Sequence, residues 1–73
     1  MYAKFLKTVS TGQELLCTLR IVDGKLQFDK EVPPKFREGL ELLRSRYPED
    51  EKFFEMIPRE YSGSYLRGMV VRD

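Results

Sequence analysis

The residues best equipped for chemistry lie near the C-terminus, in the run Arg59-Glu60-Tyr61-Ser62-Gly63-Ser64-Tyr65-Leu66-Arg67. It combines two arginines, two tyrosines, two hydroxyls and a glycine. Arginine and tyrosine are enriched where protein interfaces concentrate their binding energy, because each offers a large contact area with a polar end. The same set can stack bases and hold the phosphates of a single strand. A structural reading competes with both: Tyr61 and Tyr65 cap a core, and the arginines pair with acidic residues elsewhere. The candidate binding residues are therefore Arg59, Tyr61, Ser62, Ser64, Tyr65 and Arg67.

Two other groups invite a chemical reading. Cys17 is the one thiol, and a reactive thiol needs a base or a positive field to ionise. The chain has no histidine to act as that base. Cys17 also falls on the apolar side of an alternating segment, where free cysteine behaves as a small hydrophobe. Glu49, Asp50, Glu51 and Glu55 offer oxygen ligands for Mg²⁺ or Ca²⁺. Their spacing is not that of a calcium-binding loop. Acidic residues at a helix start also complement the macrodipole, so a solvated helix end is the expected role. No nucleophile elbow and no glycine-rich phosphate loop is present. The expectation is no catalytic residue, no metal and no other cofactor.

Composition narrows the field further. Seventy-three residues suffice for one domain, residues 1–73, and not for two. A single cysteine forms no internal disulfide, and without histidine the usual zinc ligand sets cannot be built. A chain this small buries a modest share of its surface, so close packing or self-association must make up the stability. The chain is 41% hydrophobic and 34% charged, too apolar for disorder and too charged for a bilayer. Met1-Tyr2-Ala3-Lys4 opens no secretory signal, since no apolar stretch follows, and a cytoplasmic location is expected. The net charge of +1 argues against a uniformly basic nucleic-acid surface. The absence of Asn, with many Lys, Arg and Glu, resembles thermophile compositions.

The elements that must position these groups are legible from periodicity. Asp23-Gly24 is a preferred pair for a two-residue hairpin turn that needs positive φ at both positions. Placing Val22 opposite Lys25 pairs Ile21 with Leu26 and Leu19 with Phe28. Cys17, Leu19, Ile21, Leu26 and Phe28 then share one face, and Thr18, Arg20, Lys25, Gln27 and Asp29 the other, with Val22. Residues 2–9 alternate less cleanly, because Lys7 breaks the run Ala3, Phe5, Val9. This suits an edge strand or one covered on both sides. With the hairpin it makes a meander over residues 2–29.

Pro33-Pro34 opens a helix over 34–46 whose stripe is Phe36, Leu40, Leu43 and Tyr47, with Leu42 beside it. Pro48 starts a second helix over 48–57, with Phe53, Phe54, Met56 and Ile57 as its apolar side. A last strand is expected over 64–72, interrupted by a bulge at Gly68. The fold class is α+β: an antiparallel sheet of three to four strands with one or two helices packed on one face.

The functional expectation is a small non-enzymatic accessory module that works through protein contact and associates with itself, as a homodimer for example. The alternative is a small RNA- or single-stranded-DNA-binding domain. It would use Arg59, Tyr61, Tyr65 and Arg67 together with Lys4, Lys7 or Arg20. No membrane partner is expected.

Overall fold

A computed structural model of the chain describes residues 1–61 and 65–72. Its elements are β1 (Tyr2–Val9), β2 (Gly12–Val22), β3 (Lys25–Phe28), α1 (Pro34–Arg46), α2 (Asp50–Met56), β4 (Glu60–Tyr61) and β5 (Leu66–Val71). The strands form one antiparallel sheet in the order β3-β2-β1-β5-β4. The fold is α+β. The expected meander and C-terminal strand are present, and β4 adds a fifth strand too short to leave an alternating signature.

The hairpin has the register that its alternation dictates: Val22 faces Lys25, Ile21 faces Leu26 and Leu19 faces Phe28. Asp23 and Gly24 carry φ of 52° and 76°, as a turn of matching twist requires. Asp29 closes the far end. Its carboxylate accepts from the Thr18 N–H at 2.7 Å, and its own N–H donates to the Thr18 carbonyl at 3.2 Å.

β1 lies at the centre of the sheet, between β2 and β5. Ala3 and Phe5 are fully buried on the helix side, while Tyr2, Lys4 and Leu6 alternate to the other. The expected bulge at Gly68 is not there. β5 runs against β1 in unbroken register from Leu66 to Val71. The irregularity falls instead between Phe5 and Leu6, where β2 accommodates an extra residue, Leu16. Gly68 is small for another reason. A Cβ there would sit 2.8 Å from the Pro58 carbonyl oxygen and 3.2 Å from the Phe5 ring.

Both helices lie on one side of the sheet. Ala3, Phe5, Cys17 and Leu19 from the strands meet Leu40, Phe53, Phe54 and Ile57 from the helical layer. Burying each large side chain contributes about 1.5–3 kcal/mol. The rings of Phe5, Phe36 and Tyr61 meet edge to face, with centroids 4.9, 5.6 and 6.1 Å apart, and so tie β1, α1 and β4 together. α1 uses the stripe its spacing gives, with Leu40 buried and Phe36, Leu43 and Tyr47 packed beside it. Leu42 is not part of it and stands 61% exposed. α2 starts at Asp50 rather than at Pro48, after Glu49 in an extended conformation.

Arg44 fastens three parts of the chain. Its guanidinium donates to the Gly24 carbonyl at 3.3 Å, to the Tyr47 carbonyl at 3.5 Å and to the Asp50 carboxylate at 2.8 Å. It also lies 5.7 Å from the centre of the Phe53 ring. The hairpin turn, the end of α1 and the start of α2 are thus held by one side chain that is only 14% exposed. Among the described residues, no helix is long and apolar enough to cross a membrane.

Candidate binding face

The helices cover one side of the sheet and leave the other open. Strand alternation and register assign Tyr2, Lys4 and Leu6 of β1, Leu15, Thr18, Arg20 and Val22 of β2, and Arg67 and Met69 of β5 to the open side. Leu15, Val22 and Met69 are 38%, 45% and 48% exposed, although the same sheet carries the fully buried Ala3, Phe5, Cys17 and Leu19. The pleat explains this: neighbours along a strand face opposite ways, and only one way leads to the helices.

The open side is also basic. Lys4, Arg20, Lys25 and Arg67 point outward in this register, with the carboxylates of Glu60, opposite Arg67, and Asp29, opposite Thr18, on the same side. Tyr2 lies between two of the cations. The Arg20 guanidinium is 4.5 Å from its ring centre, and the Lys4 ammonium is 5.9 Å away. Arg67 and Glu60 form a loose exposed pair at 3.7 Å, which contributes about 1 kcal/mol or less. At the β4–β5 end the face dips into a hollow of about 380 Å³, lined by Leu6, Gln13, Arg59, Glu60, Arg67 and Met69.

The candidate residues near the C-terminus divide between the two sides. Arg59 and Arg67 line the hollow together. Tyr61 turns the other way, into the ring cluster with Phe5 and Phe36. Burial pushes its phenol up to about 12, and its hydroxyl is buried without a hydrogen-bond partner among the described residues. Such an orphan costs about 1–3 kcal/mol. Tyr65 is exposed in the turn before β5, where its carbonyl accepts from the Thr8 N–H at 2.9 Å. Ser62 and Ser64 lie outside the described residues. Lys7 faces Leu66 and Glu14 and alternates to the side opposite Lys4. The set named for nucleic acid is therefore split between the two faces.

The remaining chemical candidates have structural surroundings. Cys17 is fully buried, and its thiol is pushed up to about 11, first by burial and then by the Asp29 carboxylate, with Lys30 acting in the opposite direction. The acidic turn of α2 is tied by cations. Asp50 pairs with Arg44 at 2.8 Å, Glu51 with Arg72 at 3.2 Å, and Glu55 with Arg72 at 3.8 Å. Among the described residues, no three acidic or thiol groups gather in a metal-binding set.

Sequence reasoning named Lys4 and Arg20 but missed Leu6, Leu15, Gln13 and Met69. The signal was present in the register: once β1 pairs with β2 and β5, these residues must share one side. The chain matches no protein-family model, no curated protein and no solved structure.

Proposed function

We propose that this protein is a non-enzymatic contact module that binds another protein through the open side of its sheet. One observation carries the reading. Aliphatic side chains and cations are interleaved on a face that the helices leave bare, with Arg59, Arg67, Leu6 and Met69 around one hollow. A two-layer domain normally covers both apolar faces of a sheet or makes one of them polar. Leu15, Val22 and Met69 do neither. A partner surface that is apolar at its centre and acidic at its rim would cover them.

The charges bear on which partner fits. A second copy placed symmetrically sheet to sheet would bring Lys4, Arg20 and Arg67 toward their own equivalents, and like charges oppose that contact. A heterologous acidic protein meets no such penalty. Single-stranded nucleic acid also answers to cations, but it draws on stacking aromatics. Tyr2 is the aromatic ring assigned to this side of the strands, and Arg20 already covers it.

A photo-crosslinking residue placed at Met69, and separately at Leu42 on the helical layer, tests the reading in cells that make the protein. The expected result is one dominant protein adduct from position 69, absent from position 42 and lost on R20E/R67E substitution. Equal adducts from both positions, or adducts to nucleic acid alone, would overturn it. A labelled single strand gives the second readout. Engagement of the four cations would give a steep loss of affinity with salt, of slope about −3 on logarithmic axes, and the proposal expects no such binding.

A further inference from the structure

β5 is flanked on both sides for only part of its length. β1 runs beside it from Leu66 to Val71. On its other side β4 pairs with Leu66 and Arg67 alone. One more bond follows, from the Gly68 N–H to the Arg59 carbonyl at 2.9 Å. Ahead of Arg59 the chain drops to the helical layer, where Ile57 is buried. Backbone groups of alternate residues in a strand point the same way. Gly68 therefore fixes the direction of Val70: its N–H and C=O point out of the sheet edge. Among the described residues, no strand pairs with β5 there.

A hollow of about 540 Å³ follows this edge. Met69 of the open side lines it, and so do Phe54 and Ile57 of the helical layer. One hollow meets both sides of a sheet only by passing round its edge. Arg59 lines this hollow and the one on the open side, so the edge continues the contact face. Arg59 is exposed and makes no ion pair among the described residues. Bare edges invite pairing, and proteins blunt them with charge, proline, bulges or shortness. The opposite edge has such devices: β3 is four residues long and carries Lys25, and β2 beyond it has Glu14 and the Leu16 bulge. Met69, Val70 and Val71 carry no charge or proline, and their register with β1 is unbroken.

We propose that the protein partner adds an extended segment to β5 at Val70, alternating aliphatic and acidic side chains. The aliphatic ones turn toward Phe54 and Ile57, and the acidic ones lie on the open side near Arg59 and Arg67. An outward N–H and C=O on one residue select an extended backbone, and the hollow beside them takes its alternate side chains. The unpaired Arg59 selects the acid. The inference rests on the contact face proposed above and states how the partner engages it.

The probe is acetyl-Val-Glu-Val-Glu-Val-amide, with its lysine counterpart acetyl-Val-Lys-Val-Lys-Val-amide, followed by NMR on the 73-residue chain. The acidic peptide is expected to shift Phe54, Ile57 and Met69 to Arg72 and to slow exchange of the Val70 amide, with a dissociation constant on the order of millimolar. The lysine peptide is expected not to bind. N-methylation of Val70 by chemical synthesis removes the edge-facing donor and keeps every side chain, and a loss of about tenfold is expected. R59E, on an exposed side chain, is expected to weaken the acidic peptide about fivefold. No shifts up to roughly 10 mM peptide, equal binding of both peptides, or unchanged binding by a folded N-methylated chain would overturn the proposal. A dimer in sedimentation that N-methylation of Val70 dissociates would assign the edge to a second copy and overturn it too. The contact face is read separately, by the crosslinker at Met69 in cells. Absence of its adduct from the parent is a failure of that face. An adduct that persists in V70P, where the lost N–H bonds to no strand, would overturn strand addition and leave the face standing.

Discussion

The two sides of this sheet are built from the same strands and have opposite fates. On the helix side, Ala3, Phe5, Cys17 and Leu19 are fully buried. On the other, Leu15, Val22 and Met69 remain between 38% and 48% exposed. Hydrophobicity alone does not separate them, since leucine occurs on both. What separates them is whether a helix lies above. Both helices pack on the same side, so only one set of apolar residues contributes fully to stability. The other set is left for contact with something else. The difference teaches that in a two-layer domain of this size, stability and recognition can be assigned to opposite sides of one pleat.

That division makes the two sides respond differently to substitution. The largest effect is expected for Phe5→Ala, which removes a ring that meets Phe36 and Tyr61 and leaves a cavity. A loss of about 3–5 kcal/mol in denaturant unfolding is expected, enough to unfold much of a small domain. A loss under about 1 kcal/mol would mean that the covered side is not the core.

Arg44→Ala comes next, at about 1–3 kcal/mol, because it frees the Gly24 carbonyl and Asp50 and uncovers the Phe53 ring. The Asp50 end is 63% exposed, which limits what that pair adds. Asp50→Ala should therefore cost less than Arg44→Ala in the same assay. The reverse order would show that the ion pair, rather than the backbone contact, is the fastener.

Alkaline pH probes the covered side through its two buried acids. The Cys17 thiol is raised from 9.0 to about 11, and the Tyr61 phenol from 10.0 to about 12. Both hold their protons more tightly folded than unfolded, so stability is unaffected below pH 9 and falls as pH rises from there through 11 and 12. Thermal melts from pH 8 to pH 11 should show this fall, and Cys17→Ala should delay its onset. A flat profile in the parent would contradict the burial of both groups.

The smallest effect is expected on the open side. Val22→Thr keeps the branched shape and loses little burial, so its stability change should lie within about 0.5 kcal/mol. A large loss would mean that something in the chain covers this side.

The hairpin was the most legible part of the fold, because turn chemistry at Asp23-Gly24 and alternation over Cys17–Phe28 encode the same register twice. The helix stripe was legible for a similar reason, except at Leu42, which belongs beside the stripe by hydropathy and faces away from the sheet in space. β4 was invisible, because two residues have no period. Gly68 was misread as a bulge: its small size answers to the Pro58 carbonyl, a contact between distant parts of the chain that no local pattern encodes. For the same reason, half of the candidate site stayed hidden. Arg59 and Arg67 could be singled out by type. Leu6, Gln13 and Met69 join them only when β1, β2 and β5 are paired.

The most direct test of this two-sided account is methyl NMR in the presence of a soluble paramagnetic chelate, which broadens signals exposed to solvent. The account predicts strong broadening at Leu15, Val22 and Met69, with Leu19 and Leu40 spared. Equal broadening of the two sets, or protection of Val22 and Met69 in the isolated chain, would contradict it.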